Sequence, residues 1–287
     1  MEYFYNYLIA PLIEYSFMQK STIALLVLCL SAPVIGVFLT VRRMSLSGDA
    51  ISHAILPGAA IGFLLGGLSV SSMTLGGIIA GIIVVILSSL LSNISKSAED
   101  TVLTVFYLLS LALGVIIISI AGSSVDLLHF LFGSILSISN DTLIMLSIIS
   151  VVNIFILLLC LRPLIIDCVE PSYLQSISNS SKIVQPLFMI TTVLNLVASF
   201  QAIGTLMGVG LMMIPAASAF FWSNKLLNII IFSIIIAIVG SVLGLVVSFN
   251  FNIPTSATII IMLCFWYIFS LFFGVKNGVI FQKLKAL

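Results

Sequence analysis

Charge is the scarcest property of this chain. Of its 287 residues only 7% are Asp, Glu, Lys or Arg, against about 25% in a soluble domain. Hydrophobic residues make up 61%, more than a soluble globule needs, so the class is a polytopic α-helical membrane protein. A net charge of +1 offers nothing to a nucleic acid or an acidic surface. The four cysteines, Cys29, Cys160, Cys168 and Cys264, fall at no metal-ligand or redox spacing. All but Cys168 lie in apolar runs, where cysteine behaves as a small hydrophobe. No Gly-x-x-x-x-Gly-Lys-Ser/Thr occurs, which excludes nucleotide binding through a P-loop. The zinc-protease helix His-Glu-x-x-His is also missing. An intramembrane aspartyl protease needs two facing carboxylates, and Asp49 has no second intramembrane acid.

What the chain does have is long uncharged runs. Lys182 and Lys225 are separated by 42 residues without a charge, and Lys225 and Lys276 by 50 more. One crossing takes about 20 apolar residues, so each run holds two crossings, or one plus a re-entrant piece. Breaks at charges and Gly/Pro/Asn clusters predict spans near 21–41, 46–67, 72–92, 102–121, 142–161, 185–201, 203–222, 226–249 and 255–275. The expected fold is an all-α transmembrane bundle, one domain over 1–287, with eight or nine spans. The stretch 183–224, broken by Pro186, Gly204, Gly208, Gly210 and Pro215, decides between the two counts. With nine crossings and an outside start, every Lys and Arg from Arg42 onward falls on one side and only Lys20 on the other. That assigns a basic cytoplasmic face. Residues 1–20 carry Glu2 and Glu14 and lack a basic start and a small-residue cleavage site. They read as an interfacial segment anchored by Tyr3, Tyr5, Tyr7 and Tyr15. Gly-x-x-x-Gly pairs, among them Gly62/Gly66, Gly77/Gly81, Gly204/Gly208 and Gly240/Gly244, predict close helix approach where lipid removes the hydrophobic drive.

Against this background Asp49 and His53 stand out. Between Lys20 and Lys96 the only other charges are Arg42 and Arg43. Spacing of i and i+4 puts both side chains on one helix face, about 6 Å apart, close enough to hold one cation. At 1.5 Å per residue His53 lies about 15 Å beyond Arg43, near the middle of a ~30 Å hydrocarbon core. Ionisable groups at that depth mark ion or substrate pathways. A carboxylate oxygen with an imidazole nitrogen suits zinc, manganese or iron better than calcium or magnesium. The plain alternative is a hydrogen-bonded structural pair before the bend at Pro57. Asp126 and His129 form the other Asp/His pair, at i and i+3, on the expected outer side. They read either as a cation entry site or as a solvated loop capping a short helix. The most polar stretch, 162–182, is an expected cytoplasmic loop. Pro171 opens a short amphipathic helix there with a Leu174/Ile177 stripe, which either lies on lipid or docks in a partner's groove.

The run Arg42 to Gly58, with its Gly48-Asp49-Ala50-x-Ser52-His53-Ala54 core and Leu56-Pro57-Gly58 tail, resembles the signature of bacterial ABC-type zinc/manganese (ABC-3) permeases. The similarity extends through Asp126–Gly133, Gln201–Ala217 and Asn252-Ile253-Pro254-Thr255-Ser256. It implies a type II-like importer permease, a non-enzymatic transport subunit working as a homo- or heterodimer in the bacterial plasma membrane. It also implies two copies of a separate ATPase and an extracytoplasmic binding protein delivering Zn²⁺, Mn²⁺ or sometimes Fe²⁺, the metal being cargo and not a resident cofactor. In such permeases the residues matching Asp49 and His53 line the metal pathway. The segment matching the ATPase-coupling helix contains Asp167, Glu170, Pro171, Tyr173 and Leu174. This chain departs from the family pattern there, with Pro171 after the Glu and Ser176-Ile177-Ser178-Asn179 in place of the usual Ala/Gly ending. The rival expectation is a secondary carrier exchanging metal for protons through Asp49, without an ATPase.

Overall fold

The computed structural model describes residues 10–67, 69–95, 99–120, 138–169, 181–276 and 278–279. Ten helices occupy them: α1 (Ala10–Glu14), α2 (Ser16–Val41), α3 (Ser47–Gly66), α4 (Val70–Ser95), α5 (Glu99–Ile120), α6 (Asn140–Val169), α7 (Ser181–Ile203), α8 (Thr205–Ala219), α9 (Leu226–Phe251) and α10 (Thr255–Phe273). No strand occurs among the described residues. Seven helices (α2, α3, α4, α6, α7, α9 and α10) are long and apolar enough to cross a bilayer. Shorter apolar stretches lie in α5, over Asp100–Gly114, and in α8. All nine expected spans therefore appear as helices. At 15 residues, α8 is about 22 Å long, less than the hydrocarbon thickness.

The two larger hydrophobic clusters share α2. One joins Ile35 and Phe38 of α2 to Ile51 and Ile55 of α3, Leu157 of α6, and Phe188 and Val193 of α7. The other joins Leu25 and Leu28 to Met207 and Leu211 of α8, Leu245 of α9, and Ile259 and Leu263 of α10. Large apolar side chains on the outer faces of α4, α5, α6 and α10 are exposed, among them Ile79, Leu108, Leu158 and Phe265. Such a surface suits acyl chains. Hydroxyls inside the helices donate to carbonyls one turn back, as Thr40 does to Gly36 and Thr192 to Phe188. Those hydroxyls are thereby satisfied within their own helices.

Glycines set the closest contacts. A Cβ on Gly58 of α3 would lie 2.1 Å from the carbonyl oxygen of Gly76 on α4, and one on Gly62 would lie 2.3 Å from that of Ser72. The pair Gly240/Gly244 admits Leu263 and Ile259 of α10 in the same way. Gly204, at φ 85, turns the chain between α7 and α8, a conformation a side chain resists.

Two boundaries differ from the sequence expectation. Residues 16–20, expected in an interfacial segment, form the start of α2, and Met18 is fully buried in the second cluster. The helix expected to end near 161 continues through Pro163 to Val169, so 162–169 is helix and not loop. Leu164 packs inward and Asp167 bonds to Arg42. These anchors outweigh the helix break that Arg162-Pro163 suggests.

Candidate metal pathway

Helix α3 begins at Ser47 after a tight turn from α2. The N–H groups of Arg42 and Met44 donate to the Phe38 and Leu39 carbonyls, and Arg43 adopts φ 58. Asp49 is the third residue of α3, so its carboxylate sits at the positive end of the helix dipole. One turn on, His53 Nε2 is 3.7 Å from Asp49 Oδ1. That gap is too wide for a hydrogen bond, but one cation making bonds of about 2.1 Å to each atom spans it. Asp49's side chain is 63% exposed and that of His53 28%, so the pair opens to one side of the single chain. Among the described residues no three His, Cys, Asp or Glu side chains cluster to hold a metal. One chain supplies two candidate ligands here.

Helix α5 supports the pair from behind. The Tyr107 ring stacks on the His53 imidazole, with centroids 6.1 Å apart and planes at 29°. Ser110 Oγ donates to the Ala54 carbonyl oxygen, and Ser47 Oγ donates to Asp100 Oδ1 at 2.9 Å. His53 Nδ1 is buried and has no hydrogen-bond partner among the described residues. On the opposite flank the Met212 methyl of α8 fills the space beside Gly48. Sequence reasoning missed Tyr107 and Asp100. The one available signal was the acid pair Glu99-Asp100 at the mouth of an apolar run.

Asp167 accepts a hydrogen bond from Arg42 Nη2 in an ion pair whose side chains are 9% and 8% exposed. It is not brought to Asp49 and His53. Asp126, His129, Glu170, Pro171, Tyr173 and Leu174 lie outside the described residues.

The pattern of the ABC 3 transport family matches residues 14–274. The chain belongs to the ABC 3 transport family. This ABC 3 chain is 33% identical over 264 residues to the manganese import system permease protein ScaB of Streptococcus parasanguinis, covering 92% of itself and 93% of that protein. It is 30% identical over 274 residues to the manganese transport system membrane protein MntC of Listeria monocytogenes, covering 96% of each. Its fold is similar to that of a chain in the structure of PsaBC from Streptococcus pneumoniae in complex with Fab. There the TM-score is 0.80 and the identity 29%, over 96% of this chain and 98% of that one. In this ABC 3 permease Asp49 and His53 sit on one helix of a polytopic bundle.

Proposed function

We propose that this chain is the membrane permease of an ATP-driven importer whose cargo is Mn²⁺ or Zn²⁺, with Asp49 and His53 as pathway ligands. The observation that carries the reading is their 3.7 Å separation on an open face of α3. A carboxylate and a neutral imidazole suit borderline divalent metals. The manganese importers among its relatives favour manganese as the cargo.

Two ligands are too few for a transition-metal site, which takes four or more. The open face therefore suits a second permease copy bringing its own Asp49 and His53. In this scheme an extracytoplasmic binding protein docks near Asp126 and His129 and releases the cation into the shared site. A separate ATPase engages the region 167–178, and its cycle switches the site's exposure between the two sides. The setting is the bacterial plasma membrane.

The test replaces each ligand. Asp49→Ala and His53→Ala should each abolish Mn²⁺-dependent growth and uptake while membrane insertion and ATPase assembly persist. Uptake at the wild-type rate in either variant would sink the reading.

A further inference from the structure

The Arg42–Asp167 pair touches no cargo ligand, yet three elements meet in it. Arg42 ends α2 and its Nη2 donates to Asp167 on the last turn of α6. Its guanidinium carbon stands 5.0 Å above the ring of Phe188 on α7, a cation–π contact. The Cys168 thiol faces the same guanidinium. Helices α6 and α7 are the two that lead into and out of residues 170–180. The guanidinium thus binds both flanks of the segment expected to meet the ATPase.

The pair does not explain itself as packing. Both side chains are nearly buried, and Arg42 Nε has no hydrogen-bond partner among the described residues. Apolar side chains of similar volume hold helices together as well as a buried ion pair does, or better. What the pair adds is a directional tether. From Arg42 the chain reaches α3 through a short, stiff turn. Met44 N–H bonds to the Leu39 carbonyl at 2.9 Å and Ser47 N–H to the Met44 carbonyl at 3.1 Å. Arg43 is held at φ 58, a narrow well for a residue with a side chain. The Met44 side chain is buried in the same cluster as Phe188. A shift of the α6 and α7 ends therefore pulls on Arg42, and through this turn on the helix that bears Asp49 and His53.

We propose that Arg42 and Asp167 are positioning residues that transmit movement of the ATPase-facing region to α3, coupling ATP hydrolysis to re-exposure of the metal ligands. The proposal rests on the importer function proposed above. Asp167 alone belongs to the motif expected to couple; Arg42 and the Phe188 contact extend that link to the metal helix.

The test uses the whole importer, permease with its ATPase and binding protein, in proteoliposomes, with Mn²⁺ uptake and phosphate release measured together. The double variant Arg42→Gln/Asp167→Asn keeps two hydrogen-bonding side chains of similar size and removes both charges. It should move about tenfold less Mn²⁺ per ATP hydrolysed, the scale of a typical coupling free energy. Arg42→Lys, which keeps the charge and loses the fork, should fall between. An unchanged ratio of Mn²⁺ to ATP in the double variant would overturn the proposal, as would equal losses of uptake and hydrolysis. Failure of that variant to assemble would overturn it too, by making the pair a folding element. A wild-type importer without ATP-driven uptake would instead refute the underlying function, and is told apart by that control.

Discussion

At the scale of single residues, an imidazole such as the one proposed as a ligand, His53, can bind a cation only when its ring nitrogen is free of a proton. Metal and proton therefore compete for it. Mn²⁺ binding to the purified permease should weaken steadily over a range of falling pH. Saturating metal should restore occupancy at each pH. Calorimetric titration across that range checks this, and a pH-independent affinity would remove His53 from the ligand set. The pair itself was legible because two polar residues at i and i+4 are conspicuous in an apolar run. Their support was not. Tyr107 and Asp100 reach α3 from α5, and no spacing within one helix reports a contact made 50 or so residues away. Arg42 read only as a cytoplasmic-side cation, since its role depends on where α6 ends.

At the scale of elements, composition located all nine expected spans but misjudged two ends. Charges and prolines were taken as breaks. In the folded chain Asp167 is neutralised by Arg42, and Pro163 is accommodated inside α6. The Gly-x-x-x-Gly rule found the Gly62 and Gly244 contacts. Gly58, which makes the tightest contact between α3 and α4 on Gly76, stands four residues before Gly62 and so belongs to the same Gly-x-x-x-Gly ridge. At that contact even a methyl group must push two backbones apart. Gly58→Ala should destabilise the purified protein by about 2 kcal/mol or more, as overpacking does, and lower uptake with it. Gly67 has open space around it and φ 65, so Gly67→Ala carries only the backbone penalty of about 1–2 kcal/mol. Thermal melts in detergent compare the two. Equal small shifts would mean that α3 and α4 do not touch at Gly58.

At the scale of the whole molecule, fold class followed from composition alone, but the arrangement of helices did not. Helices apolar on every side carry no amphipathic stripe to say which face turns inward. That information lies in scattered small residues and in the Ser31–Asn195 hydrogen bond between α2 and α7. The assembly prediction belongs here. If two copies share one metal, a tandem fusion carrying His53→Ala in only one half should lose most uptake, well below half of wild type. Retention of about half would point to independent sites, and uptake assays on the matched fusions decide. Finally, α3 lies backbone to backbone on α4 at Gly58, and Pro57 seats against Gly114 of α5. These three helices can tilt only together, like planks nailed into one panel. Spin labels on α3 and α5 of one subunit should therefore keep a constant spacing through the transport cycle, while, if two copies pair as proposed, labels on their two panels separate and close.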